Sequence, residues 1–181
     1  MATEIKTLIP QPVWGYFYEL TQIPRPTGQM EAVTQFIVDF GNSLGLETEK
    51  DMVGNVIVRK PATSGFENRK VVTLQSHLDM VPQKNNDVTH NFSTDPIHAY
   101  IDGDWVKAHG TTLGADNGIG VAMSMAVLAD KTLQHGPLEA LFTVDEEVGM
   151  DGANGLKPGF VHGRILLNCD SEEEGLALIH I

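Results

Sequence analysis

The sequence predicts an α/β fold, a mixed and largely parallel sheet flanked by helices. Three observations carry this. Short apolar runs alternate with helically spaced ones along the chain, the pattern of strands covered by helices. Three of those runs, 71–75 (VVTLQ), 138–144 (LEALFTV) and 164–167 (RILL), each lead directly into a polar cluster. The 181 residues, 41% hydrophobic with 18 glycines besides and 20% charged, suffice for one core without covalent staples.

Taken in order, Pro12 opens a first helix that presents Trp14, Phe17 and Leu20 and is stopped by Pro24 and Pro26. A second carries Met30, Val33, Phe36, Ile37, Phe40 and Leu44 at helical spacing, and Gly45 is placed to end it in a left-handed turn. Strands at 46–50 and 55–59, joined through Val53-Gly54, precede a polar loop at 61–69. After the run 71–75, segments 97–101 and 105–108 flank Asp102-Gly103-Asp104, a hairpin signal. Gly114-Ala115-Asp116-Asn117-Gly118-Ile119-Gly120 then runs into a helix at 121–129. Glycines there let the backbone approach a neighbour closely while the turn presents Asp116. The sequence has no internal repeat and no low-complexity tract.

Composition narrows the function. Twelve Lys and Arg stand against 24 Asp and Glu, a net charge of −12, and no basic cluster occurs. Phosphate backbones and anionic lipid are therefore excluded as partners: no nucleic acid, no membrane. Cys169 is the single cysteine, so neither an internal disulfide nor a Cys-rich zinc motif is available. No apolar run approaches the ~20 residues of a membrane span. The N-terminal MATEIKTLIPQPVW lacks the continuous apolar stretch of a signal peptide. The expectation is a cytoplasmic protein.

In open α/β sheets, ligands sit outside the carboxyl ends of the strands. The clusters Ser76-His77-Leu78-Asp79, Asp145-Glu146-Glu147 and Asn168-Cys169-Asp170 all fall at that end, so the fold gathers them at one place. One imidazole with several carboxylates, Asp116 among them, suits a divalent ion such as Zn²⁺, Mn²⁺ or Co²⁺. His77 and Asp79 share a face if the strand continues, and Asp79 then bonds the far imidazole nitrogen and fixes its tautomer. Adjacent Glu146 and Glu147 diverge, so one ligates while the other holds a water. Taken singly, each cluster reads equally as a solvated loop, and Glu173 and Glu174 are read that way. Repetition after three buried runs is what favours a metal site.

Other chemistries find no support. His-Glu-x-x-His does not occur, and Gly41-Asn42-Ser43-Leu44-Gly45, which fits Gly-x-Ser-x-Gly, closes the second helix and is no strand-to-helix elbow. Ser76 and His77 are strand neighbours and point to opposite faces, which rules out a triad. Cys169 follows a buried run and reads as a packed small residue. Gly118-Ile119-Gly120 lacks the third glycine of a dinucleotide fingerprint. His90, His98, His109, His135, His162 and His180 have no partner in the pattern.

On four strings the sequence resembles the M20 family of co-catalytic zinc metallopeptidases: SHLDMVPQKN (76–85), GTTLGADNGIGVA (110–122), FTVDEEVGMDGA (142–153) and NCDSEEEG (168–175). The Val-Pro-Gln-Lys-Asn that follows soon after Asp79 points to the aminoacyl-histidine dipeptidase branch (Xaa-His dipeptidase, peptidase D), which cleaves carnosine-like dipeptides. The resemblance implies that His77 is a terminal metal ligand and Asp79 its orienting partner. It makes Asp116 the carboxylate bridging two zinc ions, with a cis peptide to Asn117 and with Co²⁺ or Mn²⁺ as substitutes. Glu146 becomes the general base, Glu147 a ligand of one ion and Asp170 a ligand of the other. Family members are more than twice this long. The resemblance therefore implies that 1–181 is the N-terminal part of a catalytic domain in an enzyme that dimerises when full-length. The lid and dimerisation domain, with an oxyanion-stabilising histidine, and the C-terminal catalytic segment, with the last ligand histidine, would lie outside it. Alone, the chain is expected to be inactive. The alternatives are another activity of the family (acylase, carboxypeptidase or tripeptidase) and a non-catalytic metal-binding fragment.

Overall fold

The structure, a computed structural model, describes residues 2–171 and 178–180. A 3-10 turn at Ala2–Thr7 leads into α1 (Gln11–Thr21) and α2 (Glu31–Ser43). Then come β1 (Glu47–Lys50), β2 (Val56–Lys60), β3 (Val72–His77) and the hairpin β4 (Ala99–Asp102) and β5 (Trp105–Ala108). The chain continues through α3 (Ala115–Ala129), β6 (Leu138–Thr143), α4 (Asp151–Gly155), β7 (Ile165–Asn168) and β8 (Leu178–His180). Six strands form one sheet in the order β1-β2-β6-β3-β7-β8. Its centre, β6-β3-β7, is parallel, while β2 and β8 pair antiparallel with their neighbours. The mixed, largely parallel α/β sheet is the one expected.

Local chemistry explains most of the boundaries. Proline near the start of α1 costs nothing, since the first helical N–H groups have no intrahelical acceptor. At the end of α2, Gly45 takes φ +68°. Its N–H bonds the Asn42 carbonyl while the Leu46 N–H reaches Gly41, a closed left-handed stop. Two boundaries matter for the site. β3 runs on through Ser76 and His77, because both side chains are buried and the ladder to β6 extends to His77↔Thr143. α3 begins at Ala115, but Asp116 and Asn117 keep non-helical angles, so the regular helix starts behind them. The short turn Ala2–Thr7 and the five-residue α4 carry too few residues for a periodic signal.

The main core lies on one face of the sheet. There Phe17 and Leu20 of α1, Val33 and Ile37 of α2, and Val121, Ala122, Met125 and Leu128 of α3 pack on Val56, Val58, Ala140 and Phe142. The period of two along the strands sends Ile57 and Leu141 to the other face, where they meet Phe160 in a much smaller cluster. The acidic turn expected at Glu173 and Glu174 lies outside the described residues.

Candidate metal centre

The sheet register gathers the three polar clusters. β3 lies between β6 and β7, paired His77↔Thr143 on one side and Gln75↔Asn168 on the other. Just past these ladders the Leu78 N–H bonds the Thr143 carbonyl and the Cys169 N–H bonds the Gln75 carbonyl, each at 2.8 Å, so the residues that follow all three strands start from one edge. From the helix side, the turn before α3 brings Asp116.

His77 is 1% exposed and turns Nε2 toward carboxylates from all of these loops. Asp116 Oδ1 lies 3.0 Å away, Asp170 Oδ2 3.6 Å and Glu146 Oε2 4.0 Å. The other ring nitrogen, Nδ1, is 3.3 Å from Asp79 Oδ1 and 3.1 Å from the Asp79 carbonyl. Asp79 is fully buried, so its charge has to be met by donors. Oδ1 accepts the Glu146 N–H at 3.0 Å, and Oδ2 accepts the Glu147 N–H at 3.1 Å and the Thr27 hydroxyl at 2.9 Å.

These contacts set the protonation states. Burial pushes Asp79 upward, but the His77 hydrogen bond and the donors from Glu146, Glu147 and Thr27 outweigh it and hold the acid at about 2. Burial pushes His77 downward, yet Asp79, by hydrogen bond and by charge, together with Asp170 and Asp116, raises it to about 9. Glu147 is raised by burial and by Asp116, and Asp170 is raised by burial and by Asp116 against the pull of His77. Excess negative charge surrounds one imidazole. A cation relieves it.

Ligand atoms of His77, Asp116 and Asp170 lie within 4.8 Å of one another, and so do those of His77, Glu146 and Glu147. One imidazole with two carboxylates gives three ligands and leaves a position open, so the donor set fits a catalytic-type divalent ion. Both groups share the one Nε2 atom, so His77 can serve only one of them.

Several expectations are adjusted. Asp79 does not reach His77 along a continuing strand, since β3 stops at His77. Beyond it Met80 pairs with Pro26, and the Asp79 carboxylate stands 3.3 Å from His77 Nδ1. Asp145 belongs to neither ligand group: its Oδ1 accepts the Gly28 N–H at 2.6 Å. Glu146 and Glu147 do not diverge; each places an oxygen near His77. The Asp116–Asn117 peptide is cis. The close approach expected of the glycine turn is also present, since a Cβ on Gly120 would meet Asn117 Oδ1 and stand 2.8 Å from the Cys169 carbonyl. Cys169 is a free, half-buried thiol raised by burial, which leaves it packed rather than poised as a nucleophile.

Three site residues escaped the sequence reading. Asn117 donates from Nδ2 to Asp170 Oδ1 at 2.7 Å and to the Cys169 carbonyl at 3.0 Å, fixing the Asp170 carboxylate. Thr27 holds Asp79, and Arg25 grips the backbone on either side of the centre. Asn117 sat inside a recognised string and its amide was a usable signal; Arg25 and Thr27 offered none.

Comparison with known proteins finds relatives along nearly the whole chain. The profile of peptidase family M20/M25/M40 matches residues 73–176, which include all the carboxylates of the centre. The cytosol non-specific dipeptidase of Escherichia coli is 57% identical over 173 residues, 96% of this chain and 36% of that protein. Among solved structures, aminoacylhistidine dipeptidase from Vibrio alginolyticus superposes with a TM-score of 0.93 at 54% identity, over 97% of this chain and 36% of that one. Aminopeptidase PepT from Bacillus cereus superposes with a TM-score of 0.76 at 25% identity, over 90% and 44%. The chain thus spans about a third of the length of the two more similar relatives.

Proposed function

Because the chain belongs to peptidase family M20/M25/M40, we propose that it is the N-terminal part of the catalytic domain of a metal-dependent dipeptidase that takes Xaa-His, carnosine-like dipeptides among its substrates. The observation that carries this reading is the convergence of carboxylates from three separate loops on His77 Nε2. The relatives named as dipeptidases support the substrate class.

In this reading His77, Asp116 and Asp170 would hold one zinc ion, and Asp116 with Glu147 would contribute to a second, with Co²⁺ or Mn²⁺ as substitutes. When bound, such ions polarise the scissile carbonyl and bring the pKa of bound water toward about 7. The chain's own residues do the rest. Asp79 accepts a hydrogen bond from the Nδ1–H of His77, which fixes the tautomer and leaves the Nε2 lone pair for a metal. Asn117 keeps Asp170 turned toward His77. Glu146, whose side chain is 34% exposed with Oε2 4.0 Å from His77 Nε2, takes a proton from the attacking water and returns it to the leaving amine. The remaining ligand histidine, the lid and the dimerisation surface belong to sequence outside 1–181, and the full-length enzyme is a homodimer. Among the described residues no helix is long and apolar enough to cross a membrane, and the Escherichia coli relative is named for the cytosol; both fit a cytoplasmic enzyme.

The test is a substrate panel on the intact gene product: Xaa-His dipeptides, other dipeptides, tripeptides and N-acyl amino acids. The expected outcome is release of free amino acids from dipeptides, abolished by chelation and restored by zinc. Turnover confined to tripeptides or N-acyl amino acids would move the assignment to another activity of the family.

A further inference from the structure

Segment 24–28 (PRPTG), between α1 and α2, touches every loop that carries the centre except the one after β7. Arg25 is 2% exposed. Its Nη1 donates to the carbonyls of Leu78 at 2.8 Å and Asp79 at 3.3 Å, and Nη2 donates to the carbonyl of Gly114. Thr27 donates its hydroxyl to Asp79 Oδ2, and the Gly28 N–H donates to Asp145 Oδ1. Backbone bonds from Met80 N–H to the Arg25 carbonyl and from Thr27 N–H to the Met80 carbonyl fasten the segment to the loop after β3.

We propose that Arg25 and Thr27 are positioning residues of the metal centre, with the Arg25 guanidinium setting the spacing between His77 and Asp116. Leu78 and Asp79 follow His77 directly, and Gly114 stands two residues before Asp116. One planar fork therefore spans the two loops that present these ligands. A planar guanidinium can bond both loops at once, which a single ammonium at the end of a flexible stem cannot reproduce. Burying a cation among carbonyls is costly, and a space filler would have been served by an apolar side chain. The surroundings are cut to the guanidinium: a Cβ on Gly114 or on Gly118 would stand 2.6 Å from Nη2. Thr27 completes the arrangement by closing the lone-pair side of Asp79 that the two backbone N–H groups leave free.

The inference rests on His77 and Asp116 being metal ligands, so its test carries a control for that reading. In the intact, zinc-loaded protein, Arg25→Lys, Arg25→Met, Thr27→Val and His77→Ala are compared with the parent. Zinc affinity is measured by competition titration, kcat and KM on a dipeptide, and thermal unfolding of the metal-free form. A group holding a ligand in place is typically worth about 10–100-fold in metal affinity or activity. That loss is expected in Arg25→Lys and Thr27→Val, falling on zinc affinity and kcat more than on KM. A merely structural role would lower the unfolding temperature and leave the zinc affinity of the folded protein unchanged. Should the Arg25 variants fail to fold, Thr27→Val decides, since it removes one hydroxyl and keeps the shape. Parental zinc affinity and kcat in the folded variants overturn the proposal. Parental zinc affinity in His77→Ala would instead overturn the ligand assignment itself, and the positioning role with it.

Discussion

Asp79 gathers two backbone N–H groups, one hydroxyl and one imidazole around a buried carboxylate. It stays ionised throughout the neutral range and fixes both the His77 ring and the turn that carries Glu146 and Glu147. Removing it leaves those donors facing a cavity. Asp79→Ala is accordingly expected to weaken zinc binding about 10–100-fold, as a partner that orients a ligand does, and competition titration of the folded variant measures it. Unchanged affinity would make Asp79 a structural acid only. Glu146 has the opposite character, since its own backbone is held while its carboxylate is left partly free. Glu146→Gln keeps size and shape and removes the basic oxygen. In the intact enzyme it is expected to retain its metal and lose about 10²–10⁴-fold in kcat, by metal analysis and kinetics on the same preparation. Near-normal turnover would show that another group takes the proton.

Elements decide where these residues meet. β6 is the strand between the antiparallel and parallel parts of the sheet, and Phe142, fully buried in the main core, ties it to the helices. Phe142→Ala should cost about 3–5 kcal/mol of unfolding free energy, measured by denaturant titration, as large-to-small changes in packed cores do. A cost below about 1 kcal/mol would mean that the helix face is loosely packed. The same strands show how far the sequence could be read. The runs 71–75, 138–144 and 164–167 stood out because burial selects apolar side chains, and their shared carboxyl end was enough to bring His77, Glu146, Glu147 and Asp170 together, while Asp116 was legible from the glycine turn that presents it. Ser76 and His77, read as strand neighbours although polar, are both buried at the end of the ladder. Arg25 was not legible at all. Its partners are 53 to 89 residues away, and a lone arginine between two prolines belongs to no periodic pattern.

At the scale of the molecule, the sheet is unevenly covered. Three helices pack on one face, while Ile57, Leu141 and Phe160 make only a small cluster on the other. Val148 and Met150, on the loop that follows the glutamates, are 67% and 51% exposed. Exposed apolar surface of this kind favours association, so 1–181 expressed alone is expected to self-associate with rising concentration in sedimentation velocity runs. A monomer at all concentrations would contradict that. Metal binding by the same chain bears on the centre itself. His77 offers a single Nε2, so the cluster can supply one ion with an imidazole and leaves any second ion carboxylates alone. Equilibrium dialysis of 1–181 against zinc, beside His77→Ala and Asp170→Ala, should find one tightly bound ion, weakened or lost in both variants. Two tight ions per chain, or one that survives both substitutions, would contradict a centre built on His77, Asp116 and Asp170.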